Sequence, residues 1–147
     1  MSLSTDLLFF QALKTSKLIL SRTGKRVYNT DIECPPDDLK NVPVPYIIIT
    51  FDGMRNTPLV MDEFMEEGNE DEVTIGIMTV AKDRERLAEL VEEVRRVVRE
   101  YFSSSTDVLE SNGISQLILS LSAGPVNFDY TGPCYWQTLT YQCTINK

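Results

Sequence analysis

The stretch "VTIGIMTVAKDRERLAELVEEVRRVVREYF", residues 73–102, changes its periodicity once, and that change decides the fold. Its first part alternates, with Val73, Ile75 and Ile77 set against Thr74, Gly76 and Met78, the period of two that belongs to a strand. Beyond Asp83 the apolar positions Leu87, Leu90, Val91, Val94, Val97 or Val98, and Tyr101 recur every three or four residues, which is the stripe of an amphipathic helix. Asp83 is a natural N-cap. Glu92 and Arg96 stand one helical turn apart on the opposite face, a spacing that contributes only about 0.2–0.5 kcal/mol per pair and reads as a solvated surface. The strand therefore runs straight into a helix whose apolar stripe needs a sheet to pack on.

Upstream, "PYIIITFD" (residues 45–52) places Ile47, Ile49 and Phe51 on one face and Tyr46, Ile48 and Thr50 on the other, a strand with little exposure on either side. "MRNTPLVMDEFMEEGNEDE" (54–72) is polar around a short apolar core at Leu59 to Met61; it reads as a strand and an acidic turn near Gly68 and Asn69, forming a hairpin with "EVTIGIMTVA" (72–81). At the N-terminus, Leu7, Phe10, Leu13 and Leu18 suggest one helix from about Thr5 into the region of Lys14 to Leu20, capped by Ser4 or Thr5 and ended by Gly24. "RVYNTDIECPPDDLKNVP" (26–43) has no periodicity and reads as an irregular crossing, with Pro43 and Pro45 restricting the entry to the next strand. Downstream, "ISQLILSLSAG" (114–124) and "CYWQTLTYQCTIN" (134–146) are strands joined by a wide turn, "GPVNFDYTGP". In the last one Leu139, Tyr141, Cys143 and Ile145 face one way and Trp136, Thr138, Thr140, Gln142 and Thr144 the other.

Three strands before the long helix argue against a doubly wound sheet. The expected fold is α+β over a single domain, residues 1–147: order α-β-β-β-α-β-β, a mostly antiparallel sheet of four or five strands with two helices packed on one face. With 147 residues, 42% of them hydrophobic and 24% charged, the chain is large and apolar enough to bury one core. No apolar run approaches the roughly 20 residues of a bilayer span, and the N-terminus has no signal-peptide pattern, so folding in the cytoplasm is expected.

Composition removes several functions. The net charge of −8 repels a phosphate backbone. Histidine is absent, which excludes Ser-His-Asp and Cys-His catalysis and histidine-based zinc sites. Cys34, Cys134 and Cys143 include no short-spaced pair and read as buried or semi-buried thiols. The glycines form neither a phosphate-binding loop nor a dinucleotide fingerprint. The acidic cluster Asp62, Glu63, Glu66, Glu67, Glu70, Asp71 and Glu72 lacks the register of a calcium loop and reads as a solvated hairpin tip. Tyr130, Tyr135 and Trp136 lack interleaved basic residues, so a core edge or a protein interface suits them better than base stacking. No catalytic residue, cofactor or metal site is expected.

Taken in order, "GKRVYNTDIECPPDDLKNVPVPYIIITF", "VTIGIMTVAKDRERLAELVEEVRRVVR" and "WQTLTYQCTI" resemble the small phage and prophage tail-completion and tail-terminator proteins. Arg26-Val27-Tyr28 and Pro45-Tyr46-Ile47-Ile48 fill two of that family's short motifs. The resemblance implies a non-catalytic structural protein that caps or completes a tail tube and joins it to the head as a ring of identical subunits. Its partners would be its own copies and the tail-tube and head-connector proteins, with DNA only passing through the lumen and no membrane involved. It would sit in the host-cell cytoplasm during assembly and then in the virion tail. On this reading Tyr135, Trp136, Thr138, Thr140 and Gln142 form a subunit interface, and the acidic loop from Asp62 to Glu72 faces lumen or solvent. The alternative is a small-molecule-binding or regulatory α+β domain with a concave apolar pocket beside its sheet.

Overall fold

The structure is a computed structural model that describes residues 5–29, 34–36, 42–57, 70–104, 109–110, 114, 116–130 and 134–146. The long helix forms as its stripe requires. It is α3 (Arg84–Ser104), opened by Asp83, whose carboxylate accepts the Arg86 N–H at 2.8 Å. Leu87, Leu90, Val91, Val94, Val97 and Val98 are all buried.

The single N-terminal helix expected from the sequence is broken in two, α1 (Thr5–Lys14) and α2 (Lys17–Thr23). Thr15 and Ser16 cause the break. Their hydroxyls bond to the backbone, Thr15 to the Ala12 carbonyl at 3.0 Å and Ser16 to the Ile19 N–H at 3.3 Å, and Ser16 adopts extended geometry as the cap of α2. The restart shifts the helical phase, so Leu18 is 42% exposed instead of joining the stripe. Gly24 ends α2 in the left-handed conformation, φ 59° and ψ 38°, as expected.

Among the described residues one mixed sheet collects β1 (Val27–Asn29), β2 (Tyr46–Thr57), β3 (Glu70–Ala81), β4 (Gln116–Ala123), β5 (Asn127–Asp129) and β6 (Cys134–Asn146). Its order is β1-β2-β3-β6-β4, with β5 also on β6. The crossing segment is thus not wholly irregular, because β1 pairs in parallel with β2, Val27 opposite Ile47. Arg26 fastens this junction through its carbonyl, which accepts Ile47 N–H at 3.0 Å, and its Nε, which donates to the Pro45 carbonyl at 3.3 Å. The Val44–Pro45 peptide is cis, and Pro45 stands one residue before the strand, where no ladder N–H is needed.

The hairpin partner of β3 is also not the expected one. β2 continues to Thr57 and itself pairs with β3 along its length, Tyr46 opposite Val80 and Thr57 opposite Glu70. Leu59 to Met61, expected as a strand, lie outside the described residues. A bulge between Phe51 and Gly53 interrupts the ladder, and Gly53 takes φ 152°, a conformation that favours glycine. The expected wide turn holds the short strand β5: Ala123 pairs with Leu139 but Asn127 with Trp136, so the edge strand carries one extra residue at Gly124-Pro125-Val126.

Helices α1, α2 and α3 contribute to one core with the inner sheet face, where Ile47, Ile49, Ile75, Ile77, Leu139 and Ile145 have no exposed area. Side chains of this size each contribute about 1.5–3 kcal/mol on burial. Phe9 of α1 stacks against Phe102 and Tyr141 at 5.0 and 5.3 Å, tying the first helix to the last strand. The expected Glu92–Arg96 pair is not made. Arg96 is shared between Glu93 and Glu100, and Arg95 takes Glu92 at 2.9 Å. The guanidinium fork reaches carboxylates on both adjacent turns at once.

Candidate functional site

Since the helices occupy one side of the sheet, the other side is built from alternate strand residues, with Val42 and Val44 of the segment before β2 packed on one end of it. At one end of that outer face Tyr46, Val80 and Trp136 lie in register, with Ile48 and Met78 in the next row, and they form a second, smaller apolar cluster. Across the middle, Thr50, Gly76, Thr140 and Ser122 follow one another over four strands, and Thr74, Gln142 and Ser120 run beside them. At the far end Arg55, Glu72, Thr144 and Ile118 are neighbours, and Ile118 is 52% exposed. The face therefore passes from apolar, with Asp129 at its border, through a hydroxyl-rich middle where Asp52 lies over Gly76, to an end that carries Arg55, Glu72 and, one row beyond, Glu70.

Of the residues expected at an interface, Trp136, Thr138, Thr140 and Gln142 share this face. Tyr135 does not. It points to the helix side, half-buried against the main core, with its ring 4.9 Å from that of Phe128. The acidic loop also needs correction. Asp62, Glu63, Glu66 and Glu67 lie outside the described residues, but Glu70, Asp71 and Glu72 belong to β3, and Asp71 is fully buried where Asn56 Nδ2 donates to it at 2.6 Å. A carboxylate met by an amide across a strand pair is a structural element, not part of a solvated tip.

Beside the inner face the structure forms a feature the sequence reading did not place. Among the described residues β4 is an edge strand that pairs with β6 alone, and its Leu117, Leu119 and Leu121 remain half-buried. Together with Val98 and Phe102 of α3 they line a groove of about 370 Å³ over Tyr141. Arg95 and Arg99 stand on its α3 side. Burial pushes the Tyr141 phenol up to about 12, while the two guanidiniums pull it the other way. The alternation of leucines in "QLILSLSA" was the available signal, but whether a helix covers them depends on the tertiary position of α3.

The thiols do not converge: Cys34 is exposed, where the sequence reading had buried or semi-buried thiols, Cys134 is half-buried and Cys143 is buried. Burial raises the Cys143 thiol to about 12; at Cys134 burial and then the charge of Asp129 raise it. Among the described residues no three His, Cys, Asp or Glu side chains gather as metal ligands, and no helix is long and apolar enough to cross a membrane.

No family model matches the chain, and no curated protein matches it. Among solved structures it is similar to a chain of the "Virion of native gene transfer agent (GTA) particle", at 13% identity over 97% of this chain and 94% of that one, with a TM-score of 0.49.

Proposed function

We propose that the protein is a structural subunit of a phage or prophage tail that completes or caps the tail tube and joins it to the head as a ring of identical copies. The observation that carries this reading is the one-sided sheet: a broad outer face that is apolar and then hydroxyl-rich, with charge at Asp52 and at its ends, and, on a different flank, an edge strand with no charged residue from Gln116 to Ala123. A ring needs two unlike patches on each subunit, and the outer face of the sheet and the uncharged edge strand are unlike surfaces on different flanks. The reading is supported further by the two family-like motifs, which fold as direct neighbours: Arg26-Val27-Tyr28 leads into β1 and Pro45-Tyr46-Ile47-Ile48 into β2, joined by the Arg26 contacts. DNA passing through an acidic lumen would not adhere to it.

Electron microscopy and light scattering of the purified protein, alone and with tail-tube protein, test the proposal. The wild type should form rings, and Trp136→Ala and Thr140→Arg should weaken them, by roughly thirtyfold for an aromatic anchor worth about 2 kcal/mol. Trp136 also packs in the second apolar cluster, so the mid-face Thr140→Arg serves as the variant that leaves that cluster intact. Folded variants that assemble as the wild type does would remove the outer face as an interface; a wild type that never assembles would overturn the ring.

The groove over Tyr141 favours a second reading, a small-molecule-binding domain. Saturable binding of an apolar fluorescent probe, lost in Leu119→Glu, would support it.

A further inference from the structure

The groove between α3 and β4 combines two properties that rarely meet on this chain. Its walls are apolar, with Leu117, Leu119 and Leu121 only half covered, yet Arg95 and Arg99 border it on a protein of net charge −8. Arg99 makes no ion pair among the described residues, and Arg95 is engaged with Glu92 in a pair exposed on both sides, which solvent screens and a better partner displaces. Next to the groove β4 has no second strand partner among the described residues, and it carries no proline or charge over Gln116–Ala123 to discourage an approaching chain.

The complementary chemistry exists in the same sequence. Residues 58–69, "PLVMDEFMEEGN", interleave Met61, Phe64 and Met65 with Asp62, Glu63, Glu66 and Glu67. That segment is outside the described residues, and its sequence alone supplies what the groove lacks: apolar side chains to finish covering three leucines and carboxylates to meet two guanidiniums. We propose that the α3–β4 groove receives the acidic segment 58–69 of a neighbouring copy, so that the subunit contact is heterologous and oriented by charge. This rests on the ring reading above, and it assigns the acidic segment to a subunit contact instead of to the lumen. Complementary charge at the rim sets register and approach, while the covered leucines and Phe64 supply the apolar contact.

Charge reversal on each side tests it, read by sedimentation velocity over a concentration series, with circular dichroism melting to show that every variant is folded. Arg95→Glu with Arg99→Glu should weaken self-association at least about tenfold, and Asp62→Lys, Glu63→Lys, Glu66→Lys and Glu67→Lys should do the same. The chain carrying both sets should regain association, because attraction is restored with its sign exchanged. Arg95→Gln with Arg99→Gln removes charge without creating repulsion; it should associate more weakly than the wild type and lose the wild type's sensitivity to salt. A wild type that stays monomeric at every concentration overturns both the ring and this contact. A wild type that assembles while the groove variants assemble equally well, or a combined variant that fails to regain association, overturns this contact alone. So does the finding that the reversals change only the melting of a monomer, since the segment would then lie on its own groove.

Discussion

The Asn29 amide donates to the Asp6 carboxylate at 2.9 Å, with both side chains withdrawn from solvent, and so joins the first turn of α1 to the short strand β1. This bond orients the N-terminal helix over the parallel edge of the sheet, where Phe9 and Leu13 enter the core. Replacing Asn29 by Ala takes a donor from a buried carboxylate, which costs about 1–3 kcal/mol or more for a charged group. Urea unfolding of Asn29→Ala should show a loss in this range with an unchanged slope. A loss below about 0.5 kcal/mol would mean that α1 is held by its apolar contacts alone.

Val94 lies mid-helix on α3 with no exposed area. Val94→Asp puts a carboxylate among core side chains, with a cost of several kcal/mol unless the group is neutralised or the helix moves. The expected result is loss of the cooperative melting transition or a large fall in its midpoint. An unchanged midpoint would show that α3 is packed differently.

The sequence made α3 legible because its stripe, its cap and its length agree, and the same holds for the two-sided patterns of β2, β3 and β6. The short strands were not legible. Three residues such as Val27–Asn29 or Asn127–Asp129 are too few for a period, and each exists only because a longer strand offers a free edge. The break at Thr15 and Ser16 was hidden for another reason: hydroxyl residues inside a helical pattern either point outward or cap a new helix, and only packing decides. At the candidate site the alternation predicted the shared face of Trp136, Thr138, Thr140 and Gln142, whereas Tyr135, adjacent in sequence, falls on the opposite side by the same period of two. The groove required knowing that α3 stops short of covering β4, which no local pattern encodes.

The thiols should separate by burial. Cys34 should react with an aromatic disulfide reagent at pH 8 within seconds to minutes, and Cys143 only as the protein opens. The thiol of Cys143, ordinarily near 9, is raised to about 12 by burial, so the folded state keeps a proton that the unfolded chain releases. Its contribution to stability is complete below about pH 9 and is lost as pH rises towards 12. Melting temperature should fall across that window, and Cys143→Ala should make the fall shallower without abolishing it, because Tyr141 is raised by burial to about 12 from 10 and acts in the same direction. Equal slopes with and without Cys143 would show that the thiol does not titrate there.

Gly76 shapes the middle of the outer face. A Cβ at that position would stand 2.6 Å from Asp52 Oδ2 and 2.7 Å from Thr50 Oγ1, and these two side chains are themselves joined by a 2.8 Å hydrogen bond. The bulge after Phe51 gives Asp52 its place over the glycine, so the bulge and the missing side chain belong together. Glycine inside a strand is itself unfavourable relative to alanine by about 0.5–1 kcal/mol, and Gly76→Ala would recover this only if Asp52 and the Thr50 hydroxyl both move away. Asp52 is exposed and Thr50 half-buried, so the cost of Gly76→Ala is the displacement of these two side chains and the loss of the bond between them rather than a core clash. The two positions should therefore be coupled: Gly76→Ala should be more favourable in an Asp52→Ala background than in the wild type by about 1 kcal/mol, measured by a double-mutant cycle in urea. Additive effects would show that the carboxylate does not rest on Gly76, and that the glycine serves instead to keep the face flat for whatever covers it.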